Sequence, residues 1–412
     1  MTSSSGGKPR NLKRNNRKLV LELFRSQKLL SVSDVSERIS LSIVTVWKII
    51  DHYVAKGLLK PAGKGSSSGE GGKRPALFRF NESYGFAIGV HLFPDELLTV
   101  ITDLSATILH QVSWSIAEDE PLEHLLDLVA DSVKGLIQFP DVDPKSLIGM
   151  AFGSHGITDS DKGLSLSSPH FPSWGKNAKI REPLAARLGI DMPIFVDNQI
   201  RFQVYAERLK GLAKDKRTII VLEAGVGLVA GVMVNDEIKR GEHYLAGEVG
   251  HMIINPSEEL KCACGGRGCF EVMVSKKRVL DRVWAEAVAH PESPLAAPGW
   301  ATFQSVFDAS NKGDPFAMEI VEESVRWFSI GLSNIILMYD PEIIIIQGEY
   351  AGAGEFFLSR LRSVIADVSL CAIDKHVQIA YSTLGRERGV IGAACYVIGQ
   401  FFDNEEREES AT

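Results

Sequence analysis

The sequence predicts an α/β protein in two parts, a small basic module of helices and short strands followed by a large body with two lobes. The chain has 412 residues, which is more than one hydrophobic core usually serves. Residues 1–80 hold 9 Lys and 7 Arg against 2 Asp and 3 Glu, a net charge of +11, whereas the other 332 residues carry −18. Beyond residue 84, apolar runs typical of strands alternate with helical patterns, which indicates an α/β body.

The basic module begins with a segment that lacks an apolar pattern. Residues 1–15 are rich in Ser, Gly, Asn, Lys and Arg, so we expect a disordered basic arm there. A helical pattern then runs from Arg17 to about Gln27. Ser33-Asp34 is expected to cap a second helix that ends near Ile39.

A third helix and a hairpin complete the module. Ser42 is expected to cap this helix, whose inward side chains have helical spacing: Val46, Ile49, Ile50 and Tyr53. The strand-like strings GLLK at 57–60 and LFRF at 77–80 flank a flexible Gly/Ser-rich segment at 63–72. Three short helices followed by two strands around a basic tip predict a winged helix-turn-helix over residues 16–82.

The outward residues of the third helix and the tip of the wing predict contacts with double-stranded DNA. A winged helix of this kind places its third helix in the major groove, and the charge of the module suits a polyanion. A solvated basic tail without a partner and a three-helix protein-interaction module are the alternatives. The candidate DNA-binding residues are Ser42, Thr45, Trp47, Lys48, Lys73 and Arg74.

The body, residues 83–402, reads as strands with helices between them. Its order predicts two lobes and a cleft, with lobe one at about 83–195 plus a C-terminal helix and lobe two at about 196–387. The acidic residues 403–412 are expected to be disordered. The predicted strands are 86–91, 97–103, 108–115, 147–153, 218–223, 227–234 and 343–347, and a helix is predicted at 122–139.

Three of the five cysteines lie within one stretch of eight residues, in a glycine-rich turn close to one histidine. His251, Cys262, Cys264 and Cys269 offer four soft or borderline ligands with no spare position, which is typical of a structural tetrahedral zinc site. Glycines between the ligands allow a tight turn and can aim backbone amides at the sulfurs. Buried or disulfide-linked cysteines are the alternative.

The sequence also predicts the compartment. No run of about 20 apolar residues is present, and the polar, basic N-terminus has no apolar signal core. We therefore expect a cytoplasmic protein without a membrane segment, in a compartment where thiols stay reduced and can bind a metal.

The string G-E-x-G-H at 247–251, followed by C-x-C-G-x-x-G-C-x-E at 262–271, resembles the signature of the ROK family. Members of that family are bacterial sugar kinases and sugar-responsive transcription repressors, and the resemblance covers about residues 15–402. It implies a two-lobed ribonuclease-H-like body, the actin-like ATPase or sugar kinase-type fold, with His251 and the three cysteines as zinc ligands. It also implies a sugar or sugar phosphate site formed by Asn198, Glu248, His251 and Glu271.

The first module likewise resembles the DNA-binding domain of ROK repressors, including a Gly-Lys-Arg-Pro wing at 72–75. The resemblance implies that Arg74 enters the minor groove. Trp47 departs from the small polar residue expected at its position. Kinases of the family lack this domain, so its presence favours a repressor.

The positions that would transfer phosphate depart from the kinase pattern. Where kinases read D-x-G-G-T-K, this chain has His91 and Phe93, and a phenyl ring cannot offer backbone amides to an anion. The second phosphate turn, at 225–229, loses a hydroxyl and a glycine. Gln199 replaces the catalytic aspartate, and an amide cannot accept the proton of a sugar hydroxyl. We therefore expect no catalytic residues and no enzyme activity.

The residues together predict an oligomeric, sugar-responsive repressor of carbohydrate metabolism genes, either a homodimer or a homotetramer. A bifunctional sugar kinase and a repressor controlled by a protein partner are the alternatives. His155 and His170 replace a proline and an asparagine of the family, which bears on the identity of the sugar. A further alternative is that Glu248 and Glu271 only orient the zinc ligands.

Overall fold

The structure, a computed structural model, describes residues 9–27, 29–65, 74–297, 299–367 and 377–411. Within these ranges the chain forms twelve α-helices and sixteen strands. Ten of the strands lie in two five-stranded sheets. A smaller N-terminal module precedes the sheets.

The N-terminal module contains three helices and a three-stranded antiparallel sheet in the order β1-β3-β2. Phe24, Val46 and Ile50 are fully or almost fully buried between them. The hairpin of β2 and β3 follows the third helix, where the wing is predicted. The elements are α1 (Pro9–Ser26), β1 (Leu30–Ser31), α2 (Val32–Ile39), α3 (Ile43–Lys56), β2 (Leu59–Lys64) and β3 (Ala76–Phe80).

Two details of this module differ from the sequence prediction. Helix α1 begins at Pro9, so the segment 9–15 is helical rather than disordered, and residues 1–8 lie outside the described ranges. Helix α2 is capped by Ser31 and not by Ser33-Asp34. Ser31 Oγ accepts from Asp34 N at 3.2 Å, while Ser31 N donates to Asp34 Oδ2 at 2.7 Å, so the two residues form a capping box.

The first lobe is built on the sheet β11-β7-β4-β5-β6. Strands β4, β5 and β6 form an antiparallel meander, and β7 and β11 add in parallel to β4. A small sheet, β10-β9-β8, lies beside it. The elements are β4 (Phe86–Leu92), β5 (Glu96–Thr102), β6 (Ile108–Ser115), α4 (Leu122–Leu136), β7 (Leu147–Ser154), β8 (Ile157–Asp159), β9 (Leu164–Ser167), β10 (Ala178–Lys179), α5 (Arg181–Leu188), β11 (Ile194–Asn198) and α6 (Gln199–Leu209).

The second lobe repeats this arrangement with the sheet β14-β13-β12-β15-β16. Strands β12, β13 and β14 form the meander, and β15 and β16 add in parallel to β12. The two sheets therefore share strand order and direction. The remaining elements are β12 (Ile219–Ala224), β13 (Leu228–Val234), β14 (Glu237–Ile238), α7 (Phe270–Met273), α8 (Lys276–Glu286), α9 (Phe303–Asn311), α10 (Pro315–Tyr339), β15 (Ile343–Gln347), α11 (Gly354–Asp367), β16 (Gln378–Tyr381) and α12 (Arg388–Ala411).

All seven predicted strands of the body agree with the structure to within one residue at each end, whereas three other boundaries differ more. Helix α4 ends at Leu136 rather than at 139, and Pro140 disfavours helical conformation at Phe139, the residue immediately before it. Strand β11 continues through Asn198, so the predicted lobe border at 195 falls inside a strand of the first sheet. Helix α12 runs to Ala411, so the tail expected to be disordered extends a packed helix.

Helix α10 carries much of the core of the second lobe. Phe328 lies in the middle of it and packs against Tyr350 and Phe357, with ring centroids 4.6 and 5.2 Å away. Its outer face is charged, with Glu319 and Glu322 half-buried or exposed. Across the described ranges, no helix combines the length and apolar character that crossing a membrane requires.

Helices α6 and α12 pack with their backbones almost in contact. A Cβ atom on Gly392 of α12 would overlap the carbonyl oxygen of Phe202 in α6, and one on Gly89 of β4 would overlap the carbonyl oxygen of Val390 in α12. On its other side α6 approaches β13 equally closely, because a Cβ on Gly231 would overlap Val204. Helix α6 therefore lies between the two lobes, and α12 covers the first sheet.

The far end of α12 packs against the N-terminal module. Phe402 lies 6.4 Å from Phe80, measured between ring centroids, and the Arg25 guanidinium stands 4.9 Å above the Phe402 ring. Phe401 lies 6.3 Å from Tyr84. The buried side chains of the module and of α12 form one continuous hydrophobic cluster. The module is therefore fixed to the body through α12.

The contact between α6 and α12 predicts a large effect of adding a side chain to it. Gly392→Val forces the two backbones apart, and we expect it to lower the free energy of unfolding by at least about 1–3 kcal/mol, the usual cost of overpacking. Gly399 of the same helix has open space around its Cβ position, so Gly399→Ala should raise stability by about 0.5–1 kcal/mol. Urea unfolding of both variants measures the difference, and equal stabilities would contradict the prediction.

Candidate metal, sugar and nucleic-acid sites

The cysteine-rich turn between β14 and α7 is shaped by its glycines. Gly268 has a φ of 65°, and a Cβ there would overlap the carbonyl oxygen of Asn255, so the turn requires glycine at this position. Cys262 N donates to Gly266 O at 2.8 Å, and Phe270 N donates to Met252 O at 2.8 Å. The turn thus brings the cysteines close to the short 3-10 helix that ends at His251.

The four predicted ligands come together in the structure. The ligand atoms of His251, Cys262, Cys264 and Cys269 all lie within 4.8 Å of one another. Cys262 Sγ is 3.6 Å from His251 Nδ1, and Cys264 Sγ is 3.7 Å from Cys269 Sγ. Zinc–sulfur bonds of about 2.3 Å in a tetrahedron place two sulfurs about 3.8 Å apart, so these positions fit a zinc ion. A 3.7 Å separation is far longer than a disulfide bond, which counts against the disulfide alternative.

Burial keeps two of the three thiols protonated near pH 7 when no cation is bound between them. Burial raises the pKa of Cys269 to about 12, and burial also raises the pKa of Cys262. Gly266 N donates to Cys264 Sγ at 3.4 Å and lowers the pKa of that thiol, so a backbone amide does point at a sulfur as expected. Three thiolates this close together repel one another, and a bound metal cation offsets that repulsion.

Two carboxylates stand next to the metal ligands. Glu248 is half-buried, and burial raises its pKa against the opposing charges of His251 and Arg201. Glu271 Oε2 accepts from Leu228 N at 2.9 Å, while its Oε1 lies 3.8 Å from Cys262 Sγ. Glu271 therefore ties the start of β13 to the metal turn, which supports an orienting role for it. Glu248 keeps its carboxylate available to a ligand.

Asn198 lies at the junction of β11 and α6. It caps α6 by accepting from Ile200 N at 2.9 Å, and its Nδ2 donates to Gly156 O at 2.6 Å. The side-chain amide has one more donor hydrogen and one more lone pair to offer a sugar hydroxyl. Asn198 thus joins β11 and α6 to the turn after β7, and half of the hydrogen-bonding capacity of its side chain serves that purpose.

A buried ion-pair network beside Asn198 was not predicted. Asp197 Oδ1 accepts from Arg201 at 2.7 Å and from Asn198 N at 2.8 Å, and its Oδ2 accepts from Arg240 at 2.8 Å. Arg201 also donates to Tyr244 O at 2.6 Å. With both oxygens paired to arginines, Asp197 is not placed to remove a proton. The spacing of Asp197 and Arg201, four apart at a helix start, was a signal for part of this network.

Side chains fill the place where kinases of the family hold the first phosphate turn. His91 is buried at the end of β4, with its ring 4.3 Å from that of Phe93. The Arg386 guanidinium lies 4.5 Å above the Phe93 ring and pairs with Glu96 at 2.5 Å. Burial, followed by the charges of nearby residues, lowers the pKa of His91 well below its ordinary value. A neutral imidazole and a phenyl ring give an anion little to bind.

The position of the kinase base is also occupied by neutral groups. Gln199 Nε2 lies 3.0 Å from His155 Nδ1, and the His155 ring stands 4.8 Å from that of His170. Burial, and then His170, lower the pKa of His155 to about 3, so this imidazole is neutral near pH 7. An amide that contacts a neutral imidazole is a weak acceptor for a sugar proton.

Helix α3 presents the predicted DNA-binding residues in different ways. Ser42 caps the helix by accepting from Thr45 N at 3.2 Å, and the hydroxyls of Ser42 and Thr45 lie 2.8 Å apart, so one of the two donates to the other. Lys48 is exposed. Trp47 is 49% exposed, with its ring edge against Phe78 at 6.2 Å, and therefore stands between α3 and the hairpin.

The wing and the first turn of α3 complete this surface. Arg74 is exposed just before β3, whereas Lys73 lies outside the described ranges. Ile43 and Val44 are 60% and 64% exposed on α3, and they were not among the predicted DNA-binding residues. The helical period could have found them, because both fall off the buried stripe that contains Val46.

Comparison with known proteins agrees with this architecture. The model of the ROK family matches residues 87–400. The xylose repressor of Caldicellulosiruptor bescii is 27% identical over 94% of this chain and 96% of its own length. A glucokinase of Thermotoga maritima is 27% identical over 75% of this chain and 96% of its own length.

A solved structure shares the fold of nearly the whole chain. It is a ROK family transcriptional regulator described as a homolog of the E. coli MLC protein, with a TM-score of 0.78 and 22% identity, and the match covers 97% of this chain and 99% of that one. The sugar kinase-like α/β fold and the extent of the family match lead to one conclusion: this chain belongs to the ROK family.

Proposed function

We propose that this protein is a sugar-responsive transcription repressor that binds operator DNA through its N-terminal module and a sugar or sugar phosphate in the cleft of its body. One observation carries the proposal: a basic helical module is joined to a kinase-like body. In that body the positions that would transfer phosphate are occupied by His91, Phe93 and Gln199. Binding without turnover suits a sensor. The genes it controls would be those of carbohydrate metabolism, as expected for a sugar-responsive member of the family.

The extent of the matches supports a repressor. The xylose repressor matches 94% of this chain and the glucokinase 75%, a difference about as long as the segment before residue 87, where the family match starts. The relative whose name states repression therefore shares a length of chain that the kinase does not. The basic N-terminal module, which precedes the family match at residue 87, has about this length.

The geometry of that module supports a winged helix-turn-helix. Helices α2 and α3 are joined by a short turn at Ser40, which adopts a left-handed conformation with φ of 53°. The hairpin of β2 and β3 follows α3, and Arg74 leads into β3. Such a fold inserts its recognition helix into the major groove and its wing next to the backbone. A dimer would place two such helices on two half-sites.

We infer that the body lacks kinase activity. The first phosphate turn is filled by the rings of His91 and Phe93, and Leu228 N in the second turn is already bound to Glu271. Gln199 replaces the base. Restoring it with Gln199→Asp would leave both phosphate turns unchanged, so this variant should still form no ADP when incubated with ATP and a panel of hexoses and pentoses. ADP formation by the wild-type protein would instead favour the alternative of a sugar kinase.

We infer that the metal is zinc and that its role is structural. Three cysteines and one histidine leave no open position for a reacting water, and their spacing fits tetrahedral geometry. When bound, zinc would crosslink the turn at 262–269 to His251. Through Glu271, which contacts both Cys262 and Leu228, the turn also supports β13 of the second sheet.

Helix α12 offers a physical route between the cleft and the DNA-binding module. At its start, Arg388 pairs with Glu223 of the second lobe at 3.5 Å, and Arg386 just before it pairs with Glu96 of the first lobe. At its far end Phe402 packs on Phe80 of the module. A change of the angle between the lobes therefore acts on a helix that contacts the DNA-binding module directly.

Operator selection is the experiment that tests the proposal as a whole. Full-length protein is incubated with random-sequence duplexes, and bound DNA is sequenced. We expect a two-fold symmetric motif and an affinity that falls steeply with salt, because Lys48, Lys73 and the basic arm are proposed to contact phosphates. Failure to enrich any motif would count against the DNA-binding function.

Zinc removal gives a second prediction. Cys264→Ser removes one of four ligands, so zinc content should fall from about one per chain toward zero and the midpoint of urea unfolding should drop. Cys395→Ala, in the buried face of α12, is the matched control because it removes a thiol far from the turn. Wild-type protein purified without chelators but free of zinc would refute the assignment.

The sugar response gives a third prediction. With the cognate sugar identified by thermal shift, operator affinity should change by about 5- to 150-fold when the sugar is added. Glu248→Ala should keep zinc and operator binding yet abolish this change, because it removes a half-buried carboxylate beside His251. The exposed Glu242 is the matched control, and Glu242→Ala should respond as wild type does.

The same titration separates the remaining alternatives. If Glu248→Ala retains the full response, Glu248 only orients the zinc ligands. If no sugar or sugar phosphate binds the wild-type body while operator binding is normal, a repressor controlled by a protein partner is favoured.

A further inference from the structure

The outward face of the recognition helix α3 begins with apolar side chains. Ile43 is 60% exposed, Val44 64% and Trp47 49%, and all three lie off the stripe that the module buries. Residues four apart share a face of a helix, so Ile43 and Trp47 form one row and Val44 and Lys48 a neighbouring row. This apolar surface is therefore at the N-terminal end of α3, where recognition helices contact base edges.

The polar side chains at this end of α3 are engaged within the helix. The hydroxyls of Ser42 and Thr45 lie 2.8 Å apart, and Ser42 Oγ also accepts from Thr45 N. These contacts hold the first turn of α3 in place. They use one of the two hydroxyl protons, and beside them Ile43 and Val44 are exposed and have no side-chain donor or acceptor.

Trp47 is held in position rather than projecting freely. Its ring meets Phe78 of β3 edge-on, with centroids 6.2 Å apart. The contact with Phe78 holds the indole next to Val44 on the outward face of α3. A preorganised apolar surface of this kind loses little conformational entropy when it is covered.

The positive charge of the module favours DNA as the partner of this face of α3. Residues 1–80 carry a net charge of +11, and Lys48 lies within the apolar surface, whereas Asp51 stands one turn further from the N-terminal end. Phosphates on both sides of a major groove complement this distribution. Within the groove, thymine is the base whose edge presents an apolar group, its C5-methyl.

We propose that Ile43 and Val44, with Trp47 beside them, recognise thymine C5-methyl groups in each half-site of the operator. The inference rests on the proposed DNA-binding function and deepens it by naming the class of base contact. The three side chains exclude water from the methyl groups, and specificity comes from apolar contact rather than from hydrogen bonds to base edges at this end of the helix.

The test replaces single thymines of the selected operator by uracil, which lacks only the C5-methyl. Binding of the full-length protein is measured at fixed salt for each substituted duplex. Burial of one methyl contributes about 0.8 kcal/mol or more, so uracil at a contacted position should weaken binding by about threefold to tenfold. Uracil at flanking positions should have no effect.

Variants then assign each methyl to a side chain. In Val44→Ala and Ile43→Ala, the penalty for uracil should shrink toward onefold at the thymine that the removed side chain contacts and persist at the others, as a double-mutant cycle requires. Leu29→Ala removes an apolar side chain of similar exposure outside α3, 46% exposed in the wild type, and should keep every uracil penalty.

Three outcomes overturn the proposal. The first is a selected operator that binds equally well with uracil at every thymine. The second is a loss of affinity in Ile43→Ala and Val44→Ala that is the same for thymine and uracil duplexes. The third is unchanged affinity and sequence preference in both variants, which would mean that the apolar face serves another partner. Failure to select any operator is a separate result, and it would contradict the proposed function itself.

Discussion

The structure depends on a contact of backbone against backbone, in which α12 lies on β4 and α6 with only glycine between them. Gly89 and Gly392 allow this approach, and Gly231 allows α6 to approach the second sheet equally closely. Interiors this dense transmit displacement because there is no free volume to absorb it. The position of α6 between two sheets of the same topology therefore links the lobes, and α12 extends that link to the N-terminal module.

The region between the two lobes combines a buried ion-pair network with neutral polar side chains. Asp197 is paired with Arg201 and Arg240, so a buried carboxylate helps to hold β11, α6 and the loop after β14 together. Breaking one side of such a pair leaves a charge buried without its partner, which is costly. Near it, His155 and Gln199 are neutral. This arrangement supports the proposal that the body binds its ligand through shape and hydrogen bonds.

Features with a local cause were predictable from the sequence, and features with a distant cause were not. The strands followed from apolar runs, and the cluster of His251 with three cysteines, which could hold a metal, followed from their spacing. Arg240 contacts Asp197 from 43 residues away in the sequence, and no local sequence pattern predicts such an ion pair. Trp47 was expected to face DNA, but its packing on Phe78 depends on where the hairpin folds back. The helical ends at Pro9 and Ala411 were missed because composition favoured disorder there.

The position of α12 near the C-terminal end of the sequence constrains the order in which the protein can fold during synthesis. Strand β4 leaves the ribosome about 300 residues before the helix that covers it. Until that helix emerges, one face of the first sheet stays open to solvent, and Phe80 of the DNA-binding module lacks Phe402, its contact on the body. A chain truncated before residue 388 would carry the complete module but lack the helix that holds it against the body. In incomplete translation products the N-terminal module would therefore not be held against the body.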